Sequence, residues 1–222
     1  MMKNIFLKSI IAFLLLASTF SYAQSFEGKI EYRLDTKNPI PDKISDEDWN
    51  QKMKEKLGGV EYMIQKYTYK ESNYLSEVSV NGKSSFQLYK PTEALLYNWE
   101  EGTNVAATYN TKENKDAIVE IKEYETTEKV LDIDCKKITI ISEQGEVSYW
   151  YNEDYLKMDP KLYAGHKFSH FEEFLKKTNS LPLKIELKQV MVHMVFTALK
   201  YEDMKIDDNI FTLPKFEEII KL

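Results

Sequence analysis

The residues with the clearest potential for chemistry are three histidines and one cysteine. His166 and His170 stand four positions apart, the spacing that puts two metal ligands on one face of a helix. However, Ser169 is the expected cap of a helix, which leaves His166 in the loop before it. Nothing in the sequence brings His193 or Cys135 beside this pair. Without a third ligand of predictable geometry, we expect ordinary structural histidines, with no metal site and no cofactor.

Cys135 is the only cysteine, so it cannot form an intramolecular disulfide. Its position beside Leu131 and Ile133 favours a small buried residue in a strand, with a reactive thiol or an intermolecular disulfide as the alternatives. The sequence contains no G-x-S-x-G nucleophile elbow and no glycine-rich phosphate loop. Acid-rich runs at residues 45–48 and 120–128 are typical of a helix start and a solvated face. We therefore expect no catalytic residue and no enzymatic activity.

The charge balance argues against nucleic acid as a partner. The chain carries 30 Lys and Arg against 36 Asp and Glu, a formal net charge of −6, and Arg33 is its single arginine. Binding to phosphate backbones needs clustered cations, and bidentate recognition of phosphate favours arginine. Neither feature is present.

Residues 1–23 have the three-part pattern of a secretory signal peptide. A lysine at position 3 precedes the apolar run IIAFLLLA, and Ser21-Tyr22-Ala23 offers a small-x-small cleavage site. The apolar run is too short to span a bilayer comfortably, which disfavours an uncleaved anchor. We expect cleavage after Ala23, a periplasmic or secreted protein without stable membrane insertion, and a single domain over residues 24–222.

The rest of the chain indicates antiparallel strands joined by short turns. The hairpin signal Asn81-Gly82 lies between two alternating runs and predicts that Leu75 faces Leu88 and Tyr74 faces Tyr89. In all, the pattern predicts a mainly β fold with about eleven strands and two short covering helices. One helix spans residues 46–57 after the cap Ser45, and the other spans residues 169–177.

The stretch over residues 128–152 organises the predicted sheet. A hairpin turn at Gln144-Gly145 would pair Glu143 with Glu146. One face would then carry the four residues Ile138, Ile140, Tyr149 and Tyr151, and the other would carry Thr139, Ile141 and Trp150. Because both faces are apolar or aromatic, we expect material packed on each side of the sheet.

Three motifs resemble segments of a known family. They are VLDIDCKK with a following WYN in residues 129–152, SLPLKIEL at residues 180–187, and IDDNIFTLP at residues 206–214. Together they resemble the GLPGLI family of uncharacterised exported proteins of Gram-negative bacteria, although the GLPGLI hexapeptide is absent and Asp132-Ile133 replaces the family's glycine-tyrosine. The resemblance implies an exported, curved antiparallel sheet, similar to the open half-barrel of periplasmic lipoprotein carriers, which can hold acyl chains.

We interpret the aromatic content as the lining of a groove between sheet and helices that binds a hydrophobic or amphipathic ligand, such as a lipid or a lipoprotein acyl chain. The candidate ligand-binding residues are Trp49, Met53, Tyr97, Ile141, Trp150, Phe171 and Phe174. The alternative is a filled core with an exposed sheet edge or aromatic face, in an interaction or scaffold protein that binds another envelope protein or peptide. A cavity would favour the first hypothesis, and an exposed apolar patch the second.

Overall fold

The computed structural model describes residues 25–222, except the side chains of Thr126 and Thr127. The expected signal peptide and its cleavage site lie outside these residues. No helix within residues 25–222 is long and apolar enough to cross a membrane.

Within residues 25–222, a single open sheet of twelve strands forms the body of the structure. In chain order the strands are β1 (Gly28–Thr36), β2 (Met63–Lys70), β3 (Asn73–Val80), β4 (Lys83–Lys90), β5 (Leu95–Glu100), β6 (Val105–Asn110), β7 (Ile118–Val130), β8 (Ile133–Ser142), β9 (Gly145–Tyr151), β10 (Lys184–Gln189), β11 (Val192–Asp203) and β12 (Glu218–Lys221). Two α-helices, α1 (Asp46–Lys56) and α2 (Phe171–Thr178), lie between strands.

The order across the sheet is β12-β6-β5-β4-β3-β2-β1-β11-β10-β9-β8-β7. Neighbouring strands are antiparallel except β12, which runs parallel to β6. An isolated bridge joins Lys157 to Ser180 outside these strands. The structure thus confirms a mainly β fold with one open, predominantly antiparallel sheet and two short helices. The expectation of about eleven strands is wrong, and so is the antiparallel direction for β12. The four residues of β12 are too few to show an alternating pattern in the sequence, and the parallel pairing is a long-range contact.

The strand registers confirm one predicted hairpin and correct another. In β3–β4, Leu75 faces Leu88 and Tyr74 faces Tyr89, as the Asn-Gly turn predicts. In β8–β9 the pairing shifts by two residues, so Ile138 faces Tyr149 rather than Tyr151. Because side-chain direction repeats every two residues, this even shift leaves every residue on its predicted face.

Gly145 belongs to β9 and not to the turn. It pairs with Ser142, and the two turn residues are Glu143 and Gln144. A Cβ at Gly145 would lie 2.1 Å from the carbonyl oxygen of Lys188 in β10, so glycine is required for the close approach of the neighbouring strand. The glycine is therefore needed for the close packing of β9 against β10, and not for the turn that the sequence predicted there.

One face of the sheet, called the inner face here, packs against residues 152–183. This covering segment contains a 3-10 helix at Pro160–Tyr163 and helix α2. Its residues Tyr163, Phe174 and Leu175 are fully buried against the sheet, where they join a core that includes Ile138 and Ile140. The apolar residues of β8 and β9 thus obtain the cover that their sequence predicts.

The opposite, outer face is covered differently along its length. Ile206 and Phe211, from the chain after β11, pack on Leu88 of β4 in a second buried cluster. At the other end, Trp150 of β9 lies between its cross-strand neighbours Lys137 and Lys184, whose ammonium nitrogens are 4.8 and 4.4 Å from the indole ring. Trp150 is only 5% exposed and belongs to the main buried cluster, and the two lysines add cation–π contacts to its ring.

Helix α1 begins as predicted, and of its predicted apolar residues only Leu57, at its C-cap, is buried. Ser45 is its N-cap, and the serine side chain accepts a hydrogen bond from the backbone N–H of Asp48 at 3.1 Å. No residue within the helix is buried, and Trp49 and Met53 are half-exposed. Local capping chemistry fixes where a helix starts, whereas its packing depends on contacts that are distant in sequence.

Helix α2 begins one residue later than the sequence suggests. The cap is His170, without a side-chain hydrogen bond, so the predicted capping box at Ser169 is wrong. Ser169 and His170 both have left-handed backbone, with φ of 51° and 58°. Such a conformation is costly outside glycine. The chain therefore turns sharply just before α2.

The structure confirms Cys135 as a buried strand residue. Its side chain is fully buried, its Sγ lies 3.4 Å from the carbonyl oxygen of Ile133, and burial raises the pKa of the thiol. We expect the native protein to react with a thiol reagent at pH 8 at least about a hundredfold more slowly than the urea-unfolded chain. Absorbance-based labelling of both states measures this ratio, and equal rates would contradict the burial.

Candidate functional site

A cavity of about 260 Å³ lies between the inner face and residues 166–171 of the covering segment. Gln87 on β4 and Val147 on β9 both line it, although five strands separate β4 from β9 in the sheet. The sheet must therefore curve around this space. We call it the tyrosine cavity after the residues that line it most, Tyr32, Tyr67, Tyr69, Tyr74 and Tyr149.

Strand alternation places these tyrosines on one face. Tyr67 and Tyr69 are two apart on β2, and Tyr74 on β3 stands directly opposite Tyr69. The rings of Tyr67 and Tyr69 stack at 5.8 Å, and Tyr74 contacts both within 6.1 Å. Aromatic pairs at such distances stabilise beyond simple burial. The result is a preformed aromatic wall.

Three tyrosine hydroxyls attach the covering segment to the sheet. Tyr32 donates to the carbonyl oxygen of Pro182 at 2.6 Å, and Tyr149 donates to that of Ser169 at 2.9 Å. The Tyr74 hydroxyl lies 2.9 Å from Nε2 of His166. Burial raises the pKa of each of these phenols, so they remain protonated and neutral at physiological pH. Their polar atoms are used within the protein, and their ring faces remain for the cavity.

His166 is a buried, neutral histidine of the cavity wall. Its ring stacks on Tyr74 at 5.6 Å and contacts Tyr89 at 4.2 Å. Burial lowers its pKa to about 4. Its Nδ1 atom has no hydrogen-bond partner among residues 25–222. The His166 ring therefore acts as a flat stacking surface against Tyr74 and Tyr89, and its imidazole carries no charge at neutral pH.

His170 does not join His166 but attaches the covering segment to the loop before β7. Its Nε2 lies 3.2 Å from Oδ2 of Asp116, and its Nδ1 lies 3.1 Å from the amide nitrogen of Asn114. That amide also donates to the carbonyl oxygen of Lys167, so Nδ1 accepts and Nε2–H donates to the carboxylate. Burial opposes ionisation of Asp116, but hydrogen bonds from Ser142, His170 and the Gln144 N–H lower its pKa overall.

These contacts leave the histidine pair without the geometry of a metal site. No group of three or more His, Cys, Asp or Glu side chains that could hold a metal ion occurs within the part of the chain that the structure describes.

One end of the tyrosine cavity opens onto a row of uncharged polar side chains on the inner face, which we call the amide stripe. It consists of Gln65 (β2), Ser76 (β3), Gln87 (β4) and Asn98 (β5). Nε2 of Gln65 donates to Oγ of Ser76 at 2.6 Å, and Nε2 of Gln87 donates to Oδ1 of Asn98 at 2.9 Å. Beyond the cavity, the same four residues line a broader open groove of about 780 Å³. An apolar space thus adjoins a neutral hydrogen-bonding surface.

The structure brings two of the seven predicted ligand-binding residues to this region. Phe171 lines the tyrosine cavity. Phe174 lies behind it, fully buried, and stacks on Tyr149 at 4.2 Å. Both come from α2, the helix that covers the sheet.

The other five lie elsewhere. Ile141 and Trp150 are on the outer face, opposite Glu146 and Lys137. Tyr97 is also there, opposite Leu88, and the acceptor of its hydroxyl is Glu93. Strand alternation, which set these faces correctly, does not reveal which face is covered by a cavity. Trp49 and Met53 line a separate surface recess on α1.

Sequence reasoning missed the central lining residues. The i, i+2 spacing of Tyr67 and Tyr69 was a usable signal, because it places two aromatic rings on one face of β2. The contribution of His166 had no such signal, because it depends on how residues 165–171 cross the sheet. Gln65 and Gln87 become significant only through the pairing of β2 to β5.

Neither a family model nor a curated protein sequence matches the chain. Among solved structures, it is similar to an uncharacterized conserved protein from Thermus thermophilus, with a TM-score of 0.46 and 8% sequence identity over 88% of this chain and 91% of that chain.

Proposed function

We propose that the protein is an exported, non-enzymatic envelope protein that binds a hydrophobic or amphipathic small molecule, such as a lipid or an acyl chain, in the tyrosine cavity. The observation that carries the proposal is the cavity itself, about 260 Å³ of space between a curved sheet and its covering segment. Its volume lies just below the range of about 300–1,000 Å³ typical of small-molecule sites. The adjoining open groove extends the space available. The signal-peptide pattern of residues 1–23 supports export.

The energy of such binding would come from apolar burial. Each methylene removed from water contributes about 0.8 kcal/mol, and micromolar affinity corresponds to about 8 kcal/mol. Burial of about ten methylenes therefore gives an upper estimate near micromolar affinity before the cost of ordering the ligand. A preformed aromatic wall reduces the ordering cost on the protein side.

A specific observation favours the second candidate, an interaction protein that binds another envelope protein or peptide. Both strands at the sheet edges expose apolar side chains. Val119 on β7 is 68% exposed, and Ile219 on β12 is 49% exposed. Free strand edges with apolar side chains are suited to strand addition by a partner. We rank this function second because the tyrosine cavity would then have no role.

We expect the purified protein to bind the uncharged, environment-sensitive dye Nile red saturably. Phe171→Ala should raise the dissociation constant by about tenfold, because it removes an aromatic wall of the cavity. Trp49→Ala, on α1 and outside the cavity, is the matched aromatic control and should leave the constant unchanged. Fluorescence titration measures all three, with thermal unfolding as a check that each variant is folded.

The outcome separates the two candidates. Absence of saturable dye binding, together with no lipid in an organic extract of natively purified protein, would reject ligand binding in the tyrosine cavity and favour the interaction protein. Equal weakening by Phe171→Ala and Trp49→Ala would place the dye outside the tyrosine cavity.

A further inference from the structure

Uncharged side chains line the tyrosine cavity throughout. Its described walls contain no Lys, Arg, Asp or Glu, and the polar residues that line it besides the tyrosines and His166 are Gln65, Gln87 and Ser169. His166, the one lining residue able to carry a proton charge near neutral pH, is held neutral by burial. An ionic ligand group would therefore find no counter-ion in the cavity.

The residues at both openings of the cavity also disfavour an anionic ligand. The open groove at the amide stripe has Glu100 as a charged lining residue. At the other end, a recess of about 300 Å³ shares Val147 and Phe168 with the cavity and carries Glu113, Asp116 and Glu146. Within residues 25–222, neither opening is lined by Lys or Arg. The basic groups that contact these rims already have acidic partners, since Lys188 pairs with Glu146 and His170 contacts Asp116, each at 3.2 Å. An anionic group would therefore approach acidic rims.

The amide stripe offers neutral hydrogen-bonding capacity at one end of the cavity. Each glutamine amide has two donor hydrogens and a carbonyl oxygen that accepts twice. Among the described residues, none donates to Oε1 of Gln65 or Gln87. The nitrogen of Gln87 donates to Asn98, and that of Gln65 donates to Ser76 and to the Tyr67 hydroxyl. At the far end of the cavity, on β9 and β10, the lining is apolar, with Val147, Ile185 and Leu187.

We propose that the ligand is an amphiphile whose polar group is uncharged, such as a hydroxyl, ester or amide. Gln65 and Gln87 bind this group, and the apolar part extends across the sheet toward Val147 and Leu187. Transfer of an ionised group into such a site costs far more than transfer of a neutral one, because no opposite charge repays its lost hydration. This inference rests on the proposed function of the tyrosine cavity and specifies its ligand class.

Three probes of one chain length test the inference by displacement of Nile red at pH 8. They are a twelve-carbon monoacylglycerol, the matching fatty acid, and the matching alkyl trimethylammonium, each below its micellar concentration. We expect the monoacylglycerol to bind at least about tenfold more tightly than either ion. Equal or tighter binding of an ion would overturn the inference while the dye result still supports the cavity. Failure of Nile red itself to bind would instead reject the proposed function.

Two variants of the amide stripe and one control variant provide an independent test. Gln87→Lys places a cation in the amide stripe and should raise the affinity for the fatty acid by at least about tenfold. Gln51→Lys, on the exposed surface of α1, is the matched charge control. It should change neither the affinity for the fatty acid nor that for the monoacylglycerol. Gln65→Leu should weaken monoacylglycerol binding, because it removes one of the two amides proposed to bind the polar group. Unchanged fatty-acid affinity in a folded Gln87→Lys protein, or unchanged monoacylglycerol affinity in Gln65→Leu, would contradict the placement of the polar group.

Discussion

Phe174→Ala should lower the free energy of unfolding by about 3–5 kcal/mol, the cost of removing a large aromatic side chain from a packed core. Phe174 is fully buried. Its ring stacks on Tyr149 at 4.2 Å and meets Tyr151 edge-on at 6.1 Å, so it joins helix α2 to strand β9. Alanine would leave a void between helix and sheet at the place where the covering segment is held.

The control for this experiment is Met53→Ala on α1. Met53 is half-exposed, in a helix without buried residues, so its truncation should cost less than about 1 kcal/mol. Urea denaturation of both variants, analysed with a common slope, measures the difference. A similar loss in the two proteins would show that α1 packs as a second cover, contrary to the structure.

The contrast between these two helices shows what the sequence can and cannot predict. Ser45 and the acids after it mark the start of α1 correctly, because a cap is a contact between residues three apart. The spacing of Trp49, Met53 and Leu57, four residues apart, suggested an apolar stripe and a lid of equal standing to α2, but only Leu57 is buried. Which helix lies over the sheet depends on contacts between residues far apart in the chain, and no local pattern encodes these.

For the strands, too, local features were predictable and long-range pairings were not. The Asn81-Gly82 turn gives the register of β3–β4 because a two-residue loop fixes both strands. The faces of β8 and β9 were also predictable from alternation. By contrast, β1 lies in the middle of the sheet between β2 and β11, and its pairing with β11 joins residues more than 150 positions apart. The curvature that creates the tyrosine cavity depends on this arrangement.

The segment that closes the cavity was the least predictable part of the site. Residues 165–171 have no regular period, and Ser169 and His170 adopt backbone conformations that the sequence does not favour. The His170–Asp116 contact and the Tyr149–Ser169 hydrogen bond hold them in place. Strained backbone of this kind is often found beside binding sites, where the surrounding structure compensates for its cost. Its position here, at the wall of the cavity, is consistent with that pattern.

The stability of the protein should fall as the pH drops from about 6.5 to about 4, because of His166. An unfolded histidine has a pKa near 6.5, and burial lowers that of His166 to about 4. The unfolded chain therefore binds this proton more readily, and protonation favours unfolding. The contribution of His166 is fully retained above pH 6.5. It decreases by about 2 kcal/mol at pH 5 and by about 3 kcal/mol once both states are protonated.

His166→Phe isolates this effect, since it keeps a ring against Tyr74 and Tyr89 but cannot titrate. Loss of the hydrogen bond to Tyr74 shifts its stability by a constant amount, so the slopes against pH, and not the absolute values, are compared. The carboxyl groups with lowered pKa, including Asp116 and Glu186, lose their contribution mainly below about pH 4.5 and do so in both proteins. Urea denaturation between pH 7.5 and 4.5 should therefore give a steep slope for the wild type and a shallow one for the variant. Parallel slopes would mean that His166 is already charged, or readily hydrated, in the folded state, and the neutral cavity inferred above would lose one of its supports.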